Sequence, residues 1–389
     1  MLRFLTAGES HGKAEVAILE GMVAGVLVSV EDINKELKKR MHDFGRGGRA
    51  KIETDQAKIL SGVRFGKTLG SPIALLVENL DFANWEEKMS VSENDINTQA
   101  IKVTKPRPGH ADLAGSLKYE SDDVRNILER ASARETVMRV AVGAVCKKML
   151  SEFGIVIASH TIGIGGIKLT NTDYTFKDVQ NVFETDPDVH CVDSKIREKM
   201  KQEILQARLQ KNTLGGVVEI IAYNVPVGLG SHVHFDRKLD AKIAQSLMSI
   251  PSVKAVEIGN AIVASEKTGK EVQDAITVEN GKVKRKTNNM GGLEGGITNG
   301  EDIVCRVYHK PLSTLYDPLP TIDIQTKEQT SATIERSDVC VVARGGVVSE
   351  SMMAFVLADA MLEKFGGDNI LETKRNFDSY TKNLPIKRA

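Results

Sequence analysis

Several segments of this 389-residue chain gather side chains suited to proton transfer and anion binding. Gly8-Glu9-Ser10-His11-Gly12 follows a short apolar start; its glycines permit a tight turn that lets backbone approach a ligand, and an imidazole exchanges protons near neutral pH. A plain surface turn can carry the same residues. Arg46-Gly47-Gly48-Arg49, with Arg40 upstream, offers permanently charged planar forks for phosphate or carboxylate, with no side chains between them to obstruct an anion. A solvated loop has the same composition. Lys105-Pro106-Arg107-Pro108-Gly109-His110-Ala111-Asp112 sets a second histidine beside an arginine in backbone stiffened by proline, which suits a preorganised site or, equally, a stiff surface turn.

Arg130-Ala131-Ser132-Ala133-Arg134-Glu135-Thr136 falls inside a helical pattern, so Arg130 and Arg134, four apart, share a face with small residues between them. Glu129 and Glu135 can also pair with them on a solvated surface. The glycine-rich run from Asn288 to Gly300 lacks the Lys-Ser/Thr ending of a Walker loop and does not match GxGxxG; its amides suit a phosphate, a flavin edge or a long turn. Glu335-Arg336-Ser337-Asp338 leads into a strand-like run from Val339, with Arg344 at its exit. A carboxylate held between arginines stays ionised and can act as a base, or as half of a structural ion pair. His232 and His234 have a metal-like i,i+2 spacing without a third ligand nearby, so no metal site is expected, and His309 reads as structural or as a rim residue.

Composition narrows the classes. The 52 basic residues equal the 52 acidic ones, so the summed field offers no general attraction to nucleic acid or anionic membrane, and any anion site must be local. The 4 cysteines stand singly, without a CxxC or Cys/His spacing, which argues against structural zinc and a disulfide framework and fits a reducing cytoplasm. The N-terminus meets a charge at once, and no run reads as a membrane span; a soluble, unprocessed chain is expected.

The elements that must position these segments can be read from periodicity. Ile33, Leu37 and Met41 stripe a helix between Ser29 and Asp43, with Ser29 as N-cap and Lys38, Lys39 and Arg40 at the negative end. A long helix is expected from near Asp122 to near Phe153, and others over Ser194 to Gln210, Asp236 to Met248 and Met352 to Phe365. Strands are expected from Pro72, Gly216, Asp302 and Val339. Strands come in groups rather than alternating with helices, and no Pro- or Ser-rich linker intervenes, so one α+β layered domain over residues 1–389 is favoured.

Taken in order, GESHG, GRGGR, RPGHAD, RASARET, the GG-x-x-GG-x-TNG loop, HKPLST and RSD resemble the chorismate synthase family across nearly the whole chain. The resemblance implies a β-α-β sandwich with antiparallel sheets packed around helices, a homotetramer and reduced FMN (FMNH2). It implies anti-1,4-elimination of phosphate from 5-enolpyruvylshikimate 3-phosphate to give chorismate, the last common step of the shikimate pathway to aromatic amino acids. By position, His11 resembles the histidine that protonates the leaving phosphate, His110 the one that protonates reduced flavin, and Asp338 the carboxylate that works with flavin when the C6 hydrogen leaves. Flavin contacts would fall on Arg130, Ala131, Ser132, Gln245, Ser246, Gly295, Lys310, Pro311, Leu312, Ser313, Thr314 and Arg336. Substrate would fall to Ser10, Arg46, Arg49, Arg107 and Arg134, and NADPH to Arg40 and Arg46. Ala131 stands where the family commonly has a hydroxyl, and Thr314 keeps the one in the last place of its motif. The reduced flavin would come either through NADPH or from a separate flavin reductase, and with no reductase domain visible the external source is favoured. The rival class, an RNA- or polyanion-binding module built on the arginine loops, has no use for His11, His110 and Asp338, and 5% aromatic residues provide few stacking platforms.

Overall fold

The computed structural model describes residues 1–46, 54–93, 102–170 and 173–384. Two antiparallel sheets enclose a helical layer, the α+β sandwich that the resemblance implies. The first sheet is built from β1 (Arg3–Ala7), β2 (Ala14–Glu20), β3 (Ala57–Ile59) and β4 (Ile73–Glu78) in the order β1-β2-β4-β3. The second contains β5 (Val156–Ile164), β6 (Ile167–Lys168), β7 (Gly216–Tyr223), β8 (Val253–Ile258) and β9 (Ile303–His309) in the order β8-β9-β7-β5-β6. Alternation sets the inward faces. Ile73, Leu75 and Val77 on β4 and Ile303, Cys305 and Val307 on β9 are fully buried. Each such aliphatic side chain contributes roughly 1.5–3 kcal/mol by leaving water.

Between the sheets run α1 (Val30–Met41), α4 (Thr136–Ser151) and α7 (Val342–Phe365), and one buried apolar cluster joins residues of all three helices to both sheets. The expected cap of α1 is present: the Ser29 hydroxyl accepts from the Asp32 N–H at 3.1 Å while the Asp32 carboxylate accepts from the Ser29 N–H at 2.9 Å. Helix α7 is apolar all round and 24 residues long, enough to cross a membrane by composition, but it is enclosed on nearly every side by the sandwich. The longer of the remaining helices are α2 (Asp112–Tyr119), α3 (Arg125–Ala131), α5 (Ser194–Leu209), α6 (Leu239–Met248) and α8 (Ile370–Lys382).

Two expectations need correction. The long helix from Asp122 to Phe153 is broken into α3, a 3-10 turn at Ala133–Glu135, and α4. Ser132 at the break is extended (φ −66°, ψ 143°) and its hydroxyl accepts from the Arg134 N–H at 3.3 Å, the competition with helical bonding that serine offers. Arg130 and Arg134 therefore share no helical face. The run from Val339 is likewise no strand: Cys340 makes an isolated bridge to Leu214, and α7 begins at Val342, ten residues before the expected start. Burial overrides the strand preference of its β-branched residues.

Helices α4 and α7 touch at Gly143. A Cβ there would lie 2.3 Å from Cβ of Ser351, so the crossing tolerates only glycine at this point. Gly143→Ala is expected to lower the unfolding free energy by about 1–3 kcal/mol through overpacking, read as a lower midpoint in urea or thermal unfolding.

Candidate active site

The break after α3 aims residues at the Gly8–Gly12 turn. Glu129, the one acid of α3, grips that turn: its carbonyl accepts from the Ser10 N–H at 3.0 Å, and its carboxylate accepts from the His11 N–H and from His11 Nδ1, both at 2.9 Å. An Nδ1–H given to Glu129 fixes the tautomer and leaves Nε2 for proton exchange. Ser132 Oγ donates to Ser10 Oγ at 3.2 Å. The imidazole lies on the ring of Trp85 with centroids 4.0 Å apart, and the Arg125 guanidinium covers the same indole at 4.9 Å. Arg125 also binds Glu129 at 2.8 Å. Burial pushes the Glu129 carboxyl up, but the hydrogen bond and charge of His11 and the bond from Arg125 outweigh it and hold the group below its ordinary value.

His110 repeats the arrangement. Its Nδ1 donates to Asp112, whose carboxylate also takes the Arg107 fork at 2.8 and 3.1 Å. Burial again opposes ionisation of Asp112, and His110 with Arg107 holds it far below the usual range. Arg107 continues to the Thr314 hydroxyl at 2.9 Å, and Lys310 Nζ donates to the Gly109 carbonyl at 2.8 Å. The expected HKPLST segment thus packs on the RPGHAD segment.

A third buried carboxylate, Asp55, holds Arg134 and Arg40. Burial raises its pKa, and Arg134 and Arg40 pull it below normal. Asn79 ties this pair to the first histidine, because its side-chain oxygen accepts from Arg134 Nε at 2.8 Å while its amide donates to the carbonyls of Glu9 and Gly12. Arg40 is internal: it also donates to the Thr136 hydroxyl and the Ala133 carbonyl, and burial pushes it down to about 10.

Asp338 is bound by Arg344 of α7 at 3.0 Å, and the same guanidinium holds Asp43 at 2.9 Å. Burial pushes the Asp43 carboxyl up, Arg344 opposes it, and the charge of Asp338 adds to the rise. Arg46 stands in the field of Arg344, Asp43 and Asp338, and its guanidinium donates to the Met41 carbonyl. Arg49 lies outside the described residues. The segment carrying Asp338 is fastened to the His11 region twice, through Arg125–Glu335 at 3.3 Å and Arg336–Asp81 at 2.5 Å, and to the His110 region through Tyr316, whose hydroxyl donates to the Ser337 carbonyl at 3.3 Å. His11, His110 and Asp338 therefore belong to one connected network.

Other predicted positions sit apart from it. Gln245 is exposed on α6, the Ser246 hydroxyl is buried, and Gly295 forms the turn of a short hairpin beside His232. Helix α6 reaches the arginine segment through Ser249, whose hydroxyl accepts from Arg139, itself paired with Glu135. Arg130 leaves the network on the solvent side, donating to the Thr6 and Gly8 carbonyls. Ala131 is half-buried at the end of α3, and Pro311, Leu312 and Ser313 follow Lys310 in partly exposed backbone. Cavities of about 610 and 350 Å³ elsewhere in the molecule contain none of the predicted residues.

Sequence reasoning passed over Trp85, Glu129, Asp55, Asp43 and Ser252. Trp85 is the sole tryptophan, a usable signal. Glu129 was seen only as an exposed partner, because the helix break is invisible to periodicity. Ser252 takes the Lys310 N–H on its carbonyl at 2.9 Å and meets His309 Nδ1 at 2.9 Å. His309 itself is structural, with burial pushing it down to about 4.

Residues 2–362 match the family model described as chorismate synthase. The chorismate synthase of Caldicellulosiruptor bescii is 52% identical over 379 residues, 96% of this chain and 98% of its own. That of Aquifex aeolicus is 51% identical over 394 residues and that of Geobacter sulfurreducens 50% over 388, each comparison covering 98% of both chains. A crystal structure of chorismate synthase, 43% identical, superposes with a TM-score of 0.78 over 98% of both chains.

The Asp55 clamp generates a stability test. Its folded pKa is depressed, so its contribution is present above the ordinary aspartate range and is lost as pH falls through the lowered value. Asp55→Ala strands buried guanidinium groups and is expected to cost about 3–5 kcal/mol at pH 7 in urea unfolding, with the gap from the parent narrowing below about pH 4.

Proposed function

The chain belongs to the chorismate synthase family, and from that premise we propose that it eliminates phosphate from 5-enolpyruvylshikimate 3-phosphate, with reduced FMN, to form chorismate. The observation that carries this reading is the pair of histidines, each with Nδ1 anchored on a buried carboxylate that is itself held by an arginine, joined to Asp338 through one network. As a lyase the enzyme needs a place for a substrate bearing two carboxylates and a phosphate, and removing that charge from water calls for fixed cations with matching forks. Arg107, Arg134 and Arg46 supply them.

The residues fit a flavin mononucleotide by donor chemistry. Arg130, Arg336 and Lys310 are cations with surface to spare for a phosphate, and Ser132, Ser313 and Thr314 bring hydroxyls. Reduced FMN, when bound, supplies electron density to the breaking C–O bond and recovers it as the C–H bond breaks. His11, with Nδ1 held by Glu129 and Nε2 left for proton exchange, is the group suited to the leaving phosphate. His110 holds its own proton position beside Gly109 and Lys310. Asp338, oriented by Arg344, is the carboxylate for the departing C6 hydrogen. Arg40 spends its guanidinium inside the protein, which supports delivery of reduced flavin by a separate reductase over an NADPH site here. We also read the chain as one domain over residues 1–389, working as a cytoplasmic homotetramer.

Under exclusion of oxygen, the protein with chemically reduced FMN is expected to release phosphate from the ester; intact protein without turnover overturns the reading. His11→Ala, His110→Ala and Asp338→Ala should each lower kcat by about a hundredfold or more while flavin still binds. Flavin titration should quench the emission of Trp85, the only tryptophan, because its ring lies on His11; unchanged emission with bound flavin would place the cofactor elsewhere.

A further inference from the structure

Glu15 breaks the pattern of its strand. On β2 the inward positions Ala17 and Leu19 are apolar and buried, and Glu15 shares their face with only 1% of its surface exposed. Its carboxylate lies directly under the Gly8–Gly12 turn. A Cβ on Gly8 would fall 2.5 Å from Glu15 Oε2, so only a glycine, here with φ +129°, lets the turn close over the acid.

The carboxylate is poorly matched. Oε2 has no hydrogen-bond partner among the described residues, and the Arg130 guanidinium stands 3.8 Å away. Arg130 gives its forks to the Thr6 and Gly8 carbonyls, and Arg134 gives its own to Asp55 and Asn79. The charged groups that face Glu15 are Arg130 from α3, Arg134 and Glu135 from the 3-10 turn, and Glu9 from the turn above; across the sheet its partner is Val77 of β4. Burial pushes the carboxyl up to about 7, with Arg134 and Arg130 opposing and Glu135 and Glu9 adding to the rise. Buried acids of the network with an arginine in direct contact and a second arginine or a histidine beside it, Asp55, Glu129 and Asp112, are all held low.

We propose that Glu15 is an ionisable counter-group beneath the anion site, balancing Arg130 and Arg134 before the ester binds and taking a proton from solvent when the ester docks. The inference rests on the lyase reading above. A phosphate or carboxylate arriving at those guanidiniums takes over their charge and repels a second anion buried a few ångströms away. An O–H bond then forms on Glu15 as hydronium or the buffer acid gives up its proton and breaks its own bond to hydrogen, and no bond within the ester changes. Glu15 acts here as a positioning residue, since it touches the turn that carries Ser10 and His11 and not the reacting atoms.

The test is a proton count. Protein loaded with oxidised FMN, which binds without turnover, is titrated with the ester by calorimetry at about pH 7.5 in two buffers of different ionisation enthalpy, and the titration is repeated with Glu15→Gln. The parent is expected to take up about half to one proton more per site than the variant; equal counts overturn the inference. If Glu15→Gln does not fold, difference infrared spectra of the parent decide: a protonated-carboxyl band that grows on ester addition supports the inference, and its absence overturns it. A parent that binds flavin but shows no heat with the ester overturns the lyase reading and this inference together, whereas bound ester with equal counts overturns this inference alone.

Discussion

A carboxylate withdrawn from water survives only if cations reach it, and the region around the two histidines is organised by that constraint. Glu129 holds His11 and Arg125, Asp112 holds His110 and Arg107, and Asp55 holds Arg40 and Arg134. In each case the cost of burial falls on the acid and is offset by two hydrogen-bonding partners in fixed positions, at least one of them an arginine. The result is a set of guanidinium and imidazole groups whose orientations are set before any ligand arrives, which is what recognition of a compact polyanion demands. The same device on the second sheet, where Glu219 binds His160 and Arg306, shows that the pairing alone is no mark of a site. Convergence of several such clamps on two loops is.

The clamps also explain how arginine-rich loops coexist with a net charge of zero. Positive charge at the surface of the site is matched by acids beneath it, so the attraction is short-ranged and the remainder of the molecule stays neutral. The interrupted helix matters here. Had α3 run straight into α4, Glu129 and Arg134 would emerge more than a turn apart on one rod; the extended Ser132 redirects the chain so that one serves the histidine turn and the other Asp55 and Asn79.

Much of the framework was legible. The N-cap at Ser29, the amphipathic stripe of α1 and the strands from Ile73 and Ile303 follow from local pattern, because these elements are half-buried with one apolar face, while the strand from Gly216, buried on both faces, reads from its β-branched run. Helix α7 was half-missed for the opposite reason: with no polar face it has no periodicity, and its first residues imitate a strand. The order of motifs singled out His11, His110 and Asp338 as candidates, and Asp112 and Arg344 stood in the same segments. Glu129 and Asp55 could not be read this way, since Glu129 lies 118 residues from His11 and Asp55 lies 79 from Arg134, distances at which only the folded chain says who meets whom.

Helix α7 ties that folded chain together from an inconvenient place. It packs on α4 and on β5 and β7 of the second sheet yet begins at Val342, so on the ribosome that sheet waits with one face uncovered until nearly the whole polypeptide has emerged. Pairings of such long sequence separation are slow to form. Truncation before that helix is therefore expected to leave an adhesive fragment, with apolar surface of the second sheet bared, instead of a smaller native protein.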